Sequence, residues 1–292
     1  MIGKARMGIS DQIIIDGLRV LGLNESSAVI VHASLRSFGE VDGGALSVCR
    51  ALTAVCGTIL LPAASWDLTG IPAPPSLKRP HNAVHIAATW QEFDVALARA
   101  VPFTPDLAVD RELGVIPETM RCYFDHVRSI HPLLSYLAVG RQANELMEAQ
   151  RLDWPLGPLE ALAEQDGDVL LLGVTHTANT AIHLAEQWLG RSRFYRYAKA
   201  APGVWMELPN IPGQSHYFDD LAPALASATR EVMIGTCRAQ RIPVRAVLQA
   251  TERAIVADPA ALLCEDRECR CGATLQQRLH WLAGPGDESA RR

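Results

Sequence analysis

No apolar run in the chain approaches the roughly 18 residues that a membrane-spanning helix requires, and the opening MIGKARMGISDQ lacks the hydrophobic core of a secretion signal. A cytoplasmic protein with no membrane partner is expected. There is no basic excess either: 27 Lys and Arg stand against 32 Asp and Glu, a formal net charge of −5. Binding nucleic acid needs a basic face to neutralise phosphates, so no nucleic-acid partner is expected. No Walker sequence and no GxGxxG occurs, which removes the usual support for nucleoside triphosphate or dinucleotide binding. The seven cysteines are odd in number, irregularly spaced and contain no CxxC pair, unlike the framework of a small disulfide-rich secreted domain. Internal repeats and low-complexity linkers are also lacking.

What is present is an ordinary globular composition, 292 residues with 49% hydrophobic and 20% charged side chains. It predicts one domain over 1–292, with a cysteine-containing C-terminal segment, 260–275, inside it. DQIIIDGLRVLG (11–22) has the spacing of an amphipathic helix stopped by Gly22. AVIVHASL (28–35) reads as a buried strand, GALSVCRALTAVCG as a helix and GTILLPA as a second strand. From Ser65 to about Pro105 the periodicity is weak, and a long surface loop is expected. A further strand follows Pro132. GPLEALAEQDGD gives a short helix ended by Gly167, VLLLGV a core strand, and HWLAGPGDESARR a frayed tail. Alternating strands and helices indicate an α/β fold with a mixed β-sheet core and flanking helices.

Three stretches carry groups suited to chemistry. After the apolar run DVLLLGV, the helix NTAIHLAEQW places His183 and Glu186 three residues apart, on neighbouring turns of one face. An N-capped helix with a solvated histidine gives the same spacing, but the loop after a core strand is where α/β proteins commonly place their sites. VHASLRSFG puts Ser34, Arg36 and Ser37 between a strand and a helix, a setting that suits phosphate oxygens. VRSIHP repeats the theme with Arg128, Ser129 and His131. There, His131 serves equally well as a turn cap before Pro132.

Taken together, VHASLRSFG, GTILLPAAS, VRSIHPLLSYLAVG, GDVLLLGVTHTANTAIHLAE and GVWMEL resemble, in order and spacing, the aminoglycoside 3-N-acetyltransferase family, antibiotic N-acetyltransferases unrelated in fold to the GNAT enzymes. The resemblance runs from about Asp11 to about Ala250. It implies an antibiotic N-acetyltransferase-like fold, acetyl-CoA as co-substrate and transfer of acetyl to an amine of an aminoglycoside, at the 3-N position, conferring resistance. It implies His183 as the catalytic histidine, Glu207 as the acid that orients it and Thr180 as a hydroxyl near the thioester. Ser34, Leu35, Arg36 and Ser37, with Val127, Arg128 and Ser129, match the coenzyme A loops. A small-molecule amine is the expected partner, and the protein a monomer or homodimer.

An imidazole, with an ordinary pKa of about 6.5, suits the removal of a proton from an attacking amine near neutral pH. Two departures bear on the acceptor. Where the family reads GVG-x-D-x-NT this chain has GVTHTANT, so Thr177 replaces a carboxylate and Thr175 a glycine. His176, Thr177 and Glu186 are then the expected acceptor contacts, with Asp153, Glu207, Asp219 and Asp220 as further acids. RLDWPLGPLE carries Gly157 where the family has serine, which suggests an altered acceptor wall. Acyl transfer to a biosynthetic amine, or coenzyme A binding with weak catalysis, are the alternatives. Separately, Cys264, Cys269 and Cys271 lie within eight residues, close enough to share a structural zinc with Cys237 or a histidine as fourth ligand. Reduced thiols without metal remain the other reading.

Overall fold

Side-chain alternation along AVIVHA, Ala28–Ala33 (β1), divides the interior in two. Val29 and Val31 join one apolar cluster and Ile30 joins another, because successive strand residues point to opposite faces of a sheet. In the computed structural model, which describes residues 8–77 and 82–284, the other elements in chain order are α1 (Asp11–Val20), α2 (Ala45–Val55), β2 (Thr58–Pro62), α3 (Trp66–Thr69), β3 (Gly70–Ile71), α4 (Trp90–Arg99), α5 (Val115–Tyr123), β4 (Val127–Arg128), β5 (Tyr136–Gly140), α6 (Ala143–Glu148), α7 (Gly157–Glu164), β6 (Asp168–Leu172), α8 (Thr180–Trp188), β7 (Phe194–Ala201), β8 (Val204–Ile211), α9 (Ala222–Leu225), β9 (Arg230–Ile234), β10 (Cys237–Pro243), α10 (Val244–Ala257) and α11 (Cys271–Ala283).

Seven strands form a mixed sheet in the order β4-β5-β2-β1-β6-β10-β9. Its centre, β2-β1-β6, is parallel, and the strands on either side pair antiparallel. Parallel strands are covered on both faces and read as continuous apolar runs, which explains DVLLL, every residue of which is buried. One face packs Leu170 and Leu172 with apolar residues of α1, α2 and α5. The other packs Val169 and Leu171 with residues of α7, α8 and α10. A second, three-stranded sheet, β3-β7-β8, stands apart from the first. No helix among the described residues is long and apolar enough to cross a membrane.

Three sequence expectations change. The stretch expected to be one long loop contains α3, β3 and α4. Thr89 caps α4 by accepting the Glu92 N–H at 3.1 Å, and Glu92 Oε2 accepts the Ala88 N–H at 2.7 Å. The expected frayed tail begins inside α11, which continues to Ala283, while 285–292 lie outside the described residues. Gly157 is explained by packing. A Cβ there would sit 2.0 Å from the Ala149 carbonyl oxygen, so the backbone approach, and not the acceptor wall, excludes a side chain.

Candidate active site

β6 delivers the chain to the site through Gly173, whose φ of +68° favours glycine. A Cβ at Gly173 would also fall 1.8 Å from Ser37 Oγ, so the turns after β6 and β1 touch. A 3-10 turn, His176–Ala178, follows, and Asn179 then caps α8 by accepting the Ala181 N–H at 3.2 Å. From Ala181 to Gln187 every residue of α8 is buried. The helix is interior, and the solvated-histidine reading does not hold.

The pair spaced three apart meets inside the protein. His183 Nδ1 lies 2.8 Å from Glu186 Oε2, with side-chain exposures of 11% and 1%. Glu186 Oε1 in turn accepts from Arg191 Nε at 3.1 Å and Nη2 at 3.0 Å. Arg191 completes its fork on the Pro259 and Ala261 carbonyls, each at 2.8 Å. Burial pulls the Arg191 pKa down, and the Glu186 carboxylate opposes that shift. A buried charge persists only when paired and hydrogen-bonded, and this carboxylate meets both conditions. Phe218 presses edge-on against the His183 ring, with centroids 4.8 Å apart.

His183 lines a cavity of about 560 Å³ together with Thr180 and Thr177. With Nδ1 held by Glu186, Nε2 is the nitrogen left for the cavity. A histidine fixed in this way through one nitrogen has a defined tautomer and ring orientation. Thr180 opens α8, where the free N–H groups and helix dipole favour a developing negative charge. Among the described residues that line it, Glu112 is the single carboxylate and Arg196 the single guanidinium. Burial pulls the Arg196 pKa down, and its guanidinium sits over the Trp66 ring at 5.6 Å.

Several expected site residues lie elsewhere. Glu207 is on β8, its Oε2 3.0 Å from the Tyr197 hydroxyl, and Glu186 takes the orienting position against His183. Glu186 is therefore interior and does not face an acceptor. His176 is buried, its Nδ1 3.2 Å from Asn179 Nδ2, so of the GVTHTANT loop it is Val174, Thr177, Ala178 and Thr180 that reach the cavity. Asp153, Asp219 and Asp220 are exposed and absent from the cavity wall, as is the half-buried Glu207.

Arg128 does not present an open guanidinium. Nε donates to Ser135 Oγ, Nη1 to the carbonyls of Pro105 and Leu107, and Nη2 to the Ala63 carbonyl and Ser65 Oγ. All five donors of the fork are committed, and none is left for a phosphate. Ser129 Oγ accepts the Tyr136 N–H at 2.8 Å, and Val127 pairs with Ala138 as an edge strand. His131 is the turn cap: its Nδ1 accepts the N–H groups of Leu133 and Leu134 at 3.2 and 3.0 Å. In the other loop Ser37 Oγ donates to the Ser34 carbonyl at 2.7 Å and Leu35 packs on the core. Arg36 is exposed, and Ser34 half-buried beyond Ala33, which lines the cavity.

The cysteines converge with a histidine that sequence spacing does not single out. The ligand atoms of His216, Cys264, Cys269 and Cys271 all lie within 4.8 Å of one another. Cys237 is not among them. It is fully buried in β10, and burial pushes its thiol pKa up to about 11.

A family model described as aminoglycoside 3-N-acetyltransferase matches residues 30–255. The SPbeta prophage-derived aminoglycoside N(3')-acetyltransferase-like protein YokD of Bacillus subtilis (strain 168) is 30% identical over 230 residues, 73% of this chain and 79% of that protein. Its crystal structure superposes with a TM-score of 0.76, at 25% identity, over 88% of this chain and 96% of the other. The aminoglycoside N(3)-acetyltransferase III of Serratia marcescens is 35% identical over 174 residues, 58% of this chain and 61% of that enzyme. The solved structure AAC-IIIb binary with CoASH shares the fold, with a TM-score of 0.67 at 23% identity over 85% and 96% of the two chains.

Proposed function

The chain belongs to the aminoglycoside 3-N-acetyltransferase family, and from that premise we propose that it moves the acetyl group of acetyl-CoA to the 3-amino group of an aminoglycoside, a reaction that confers resistance. The observation that carries this reading is the buried run from Arg191 through Glu186 to His183, which ends at the cavity wall. His183 Nε2 takes the proton of the attacking amine as its nitrogen bonds to the thioester carbon. The carbon–sulfur bond then breaks, and the proton passes to the departing thiolate. The imidazolium formed in between is stabilised by Glu186. Thr180, at the start of α8, supplies a hydroxyl toward the oxyanion. No cysteine is among the described residues that line the cavity, and direct transfer in a ternary complex is the simplest course. Arg36, exposed at the end of the β1 turn, is the side chain we assign to the coenzyme A phosphates.

Arg196 on the wall favours a second acceptor class, an amine that also carries an anionic group. Salt separates the two. Binding of a polycation to Glu112 weakens as ionic strength rises; binding of an amine that pairs with both Glu112 and Arg196 weakens less. The test is thiol release from acetyl-CoA with 2-deoxystreptamine aminoglycosides and anionic amines, at low and high salt. We also assign zinc to the His216, Cys264, Cys269 and Cys271 cluster as a structural ion.

A further inference from the structure

The Cys/His cluster sits where two segments that serve the active site come together. One is the loop after β8. Pro212 to Ser215 line the cavity, His216 supplies the cluster's imidazole, and Phe218 packs on the His183 ring. The other is the C-terminal segment. The Pro259 and Ala261 carbonyls hold Arg191, and Cys264, Cys269 and Cys271 follow directly. α11 then returns to the same turn: Gln277 exchanges two hydrogen bonds with the Arg193 backbone at 2.9 and 2.8 Å, and Arg278 Nη1 donates to the Leu189 carbonyl at 2.8 Å.

The donors fit a closed tetrahedral site. Zinc bound by three thiolates and one imidazole, with bonds of about 2.3 and 2.0 Å, places its ligand atoms about 3.5–3.8 Å apart. His216 Nε2 and Cys269 Sγ are already 3.3 Å apart, and no pair in the cluster exceeds 4.8 Å. Four protein ligands leave no open position for substrate, and none of the four lines the cavity. A catalytic ion would need both.

We propose that zinc held by His216, Cys264, Cys269 and Cys271 is a strut, fastening the 212–218 wall of the acceptor cavity to the C-terminal segment that anchors Arg191. It rests on the zinc assignment above and not on the identity of the acceptor. Of the four ligands, only His216 comes from the cavity loop. Losing it frees the wall while leaving the thiols in place; losing the metal frees both segments.

The test uses the full chain, purified under reducing conditions, with zinc content measured by elemental analysis and backbone hydrogen exchange measured by mass spectrometry. One equivalent of zinc is expected. Cobalt substitution should give the intense thiolate charge-transfer and tetrahedral ligand-field bands of a site with three sulfur ligands and one nitrogen. In His216→Ala cobalt binding should weaken by a factor on the order of 10² or more, beyond what loss of a supporting residue around a metal costs. His216→Cys should keep the metal. Exchange in 212–218 should rise in His216→Ala and stay at the wild-type level in His216→Cys. Protein that neither carries zinc nor takes up cobalt overturns the metal site. Metal at one equivalent, with exchange in 212–218 unchanged in His216→Ala, overturns the strut while leaving the metal. Neither readout depends on acetyl transfer, so a failure of the enzymatic reading remains distinguishable.

Discussion

His183 and Glu186 meet at 2.8 Å inside α8, and the oxygen of Glu186 that does not face the histidine is held by Arg191. The carboxylate is thus fixed from both sides, one oxygen on the imidazole and the other on the guanidinium.

Replacing Glu186 by Gln keeps the shape and removes the charge. The imidazolium loses its counter-ion, and Arg191 is left buried without one. Thiol release should fall about 10²-fold or more in kcat, with a smaller change in acetyl-CoA affinity. A loss confined to KM for the amine would instead make Glu186 a substrate contact.

Arg128 should behave as a structural residue. Arg128→Met removes the guanidinium donors of the Pro105 and Leu107 carbonyls, while Ala63 keeps its bond from Ser135 Oγ, and should cost about 2–4 kcal/mol of stability, the cost of leaving such acceptors unpaired. Urea denaturation measures this. Binding of acetyl-CoA to the folded fraction should change little; a large selective loss would return Arg128 to the coenzyme A site.

Two buried histidines set an acid limit on stability. Burial pushes the pKa of His32 and of His131 down to about 4, against about 6.5 in an unfolded chain. Between those values the unfolded state binds more protons. Their contribution is therefore complete above about pH 6.5 and is lost as the pH falls toward 4, by up to about 3 kcal/mol each. His131→Asn should flatten the fall of Tm between pH 7 and 5. Asp110, its pKa pushed up to about 6 by burial, contributes a slope of the opposite sign, so the comparison is wild type against variant at each pH.

The acceptor contact predicted for Glu112 is charge-dependent. Glu112→Gln should raise KM for a polycationic aminoglycoside roughly tenfold, the cost of one charge-assisted hydrogen bond, and should reduce the salt dependence of KM. An unchanged KM and salt slope would place the acceptor's ammonium groups elsewhere.

What the sequence discloses and what it hides divide by distance along the chain. DVLLL is recognisable as a central strand because both its faces are buried, and His183 with Glu186 is legible as a pair because i,i+3 is a local relation. The burial of that pair is not local. It depends on α10 packing against α8 and on Arg191 reaching Pro259 and Ala261, and without it Glu207 looks the better partner. Arg128 and Ser129 spell an anion loop only while their carbonyl and N–H partners, up to 65 residues away, are unknown. His216 is 48 residues from Cys264 in sequence, so no spacing rule could join them. Thr89 and Glu92 form the T-x-x-E signature of a capping box, and the helix it starts lies within the stretch expected to be loop. The β7–β8 turn likewise carries Pro202 and Gly203, with φ of +72° at the glycine, a recognisable turn signal.

The most direct test of the account is the rate of thiol release from acetyl-CoA, with a 2-deoxystreptamine aminoglycoside as acceptor, in wild type and His183→Asn, alongside acetyl-CoA binding by calorimetry. If His183 is the base that Glu186 orients, kcat should fall by a factor on the order of 10² to 10⁴ while acetyl-CoA binds as before. Turnover in His183→Asn within a few-fold of wild type would contradict it.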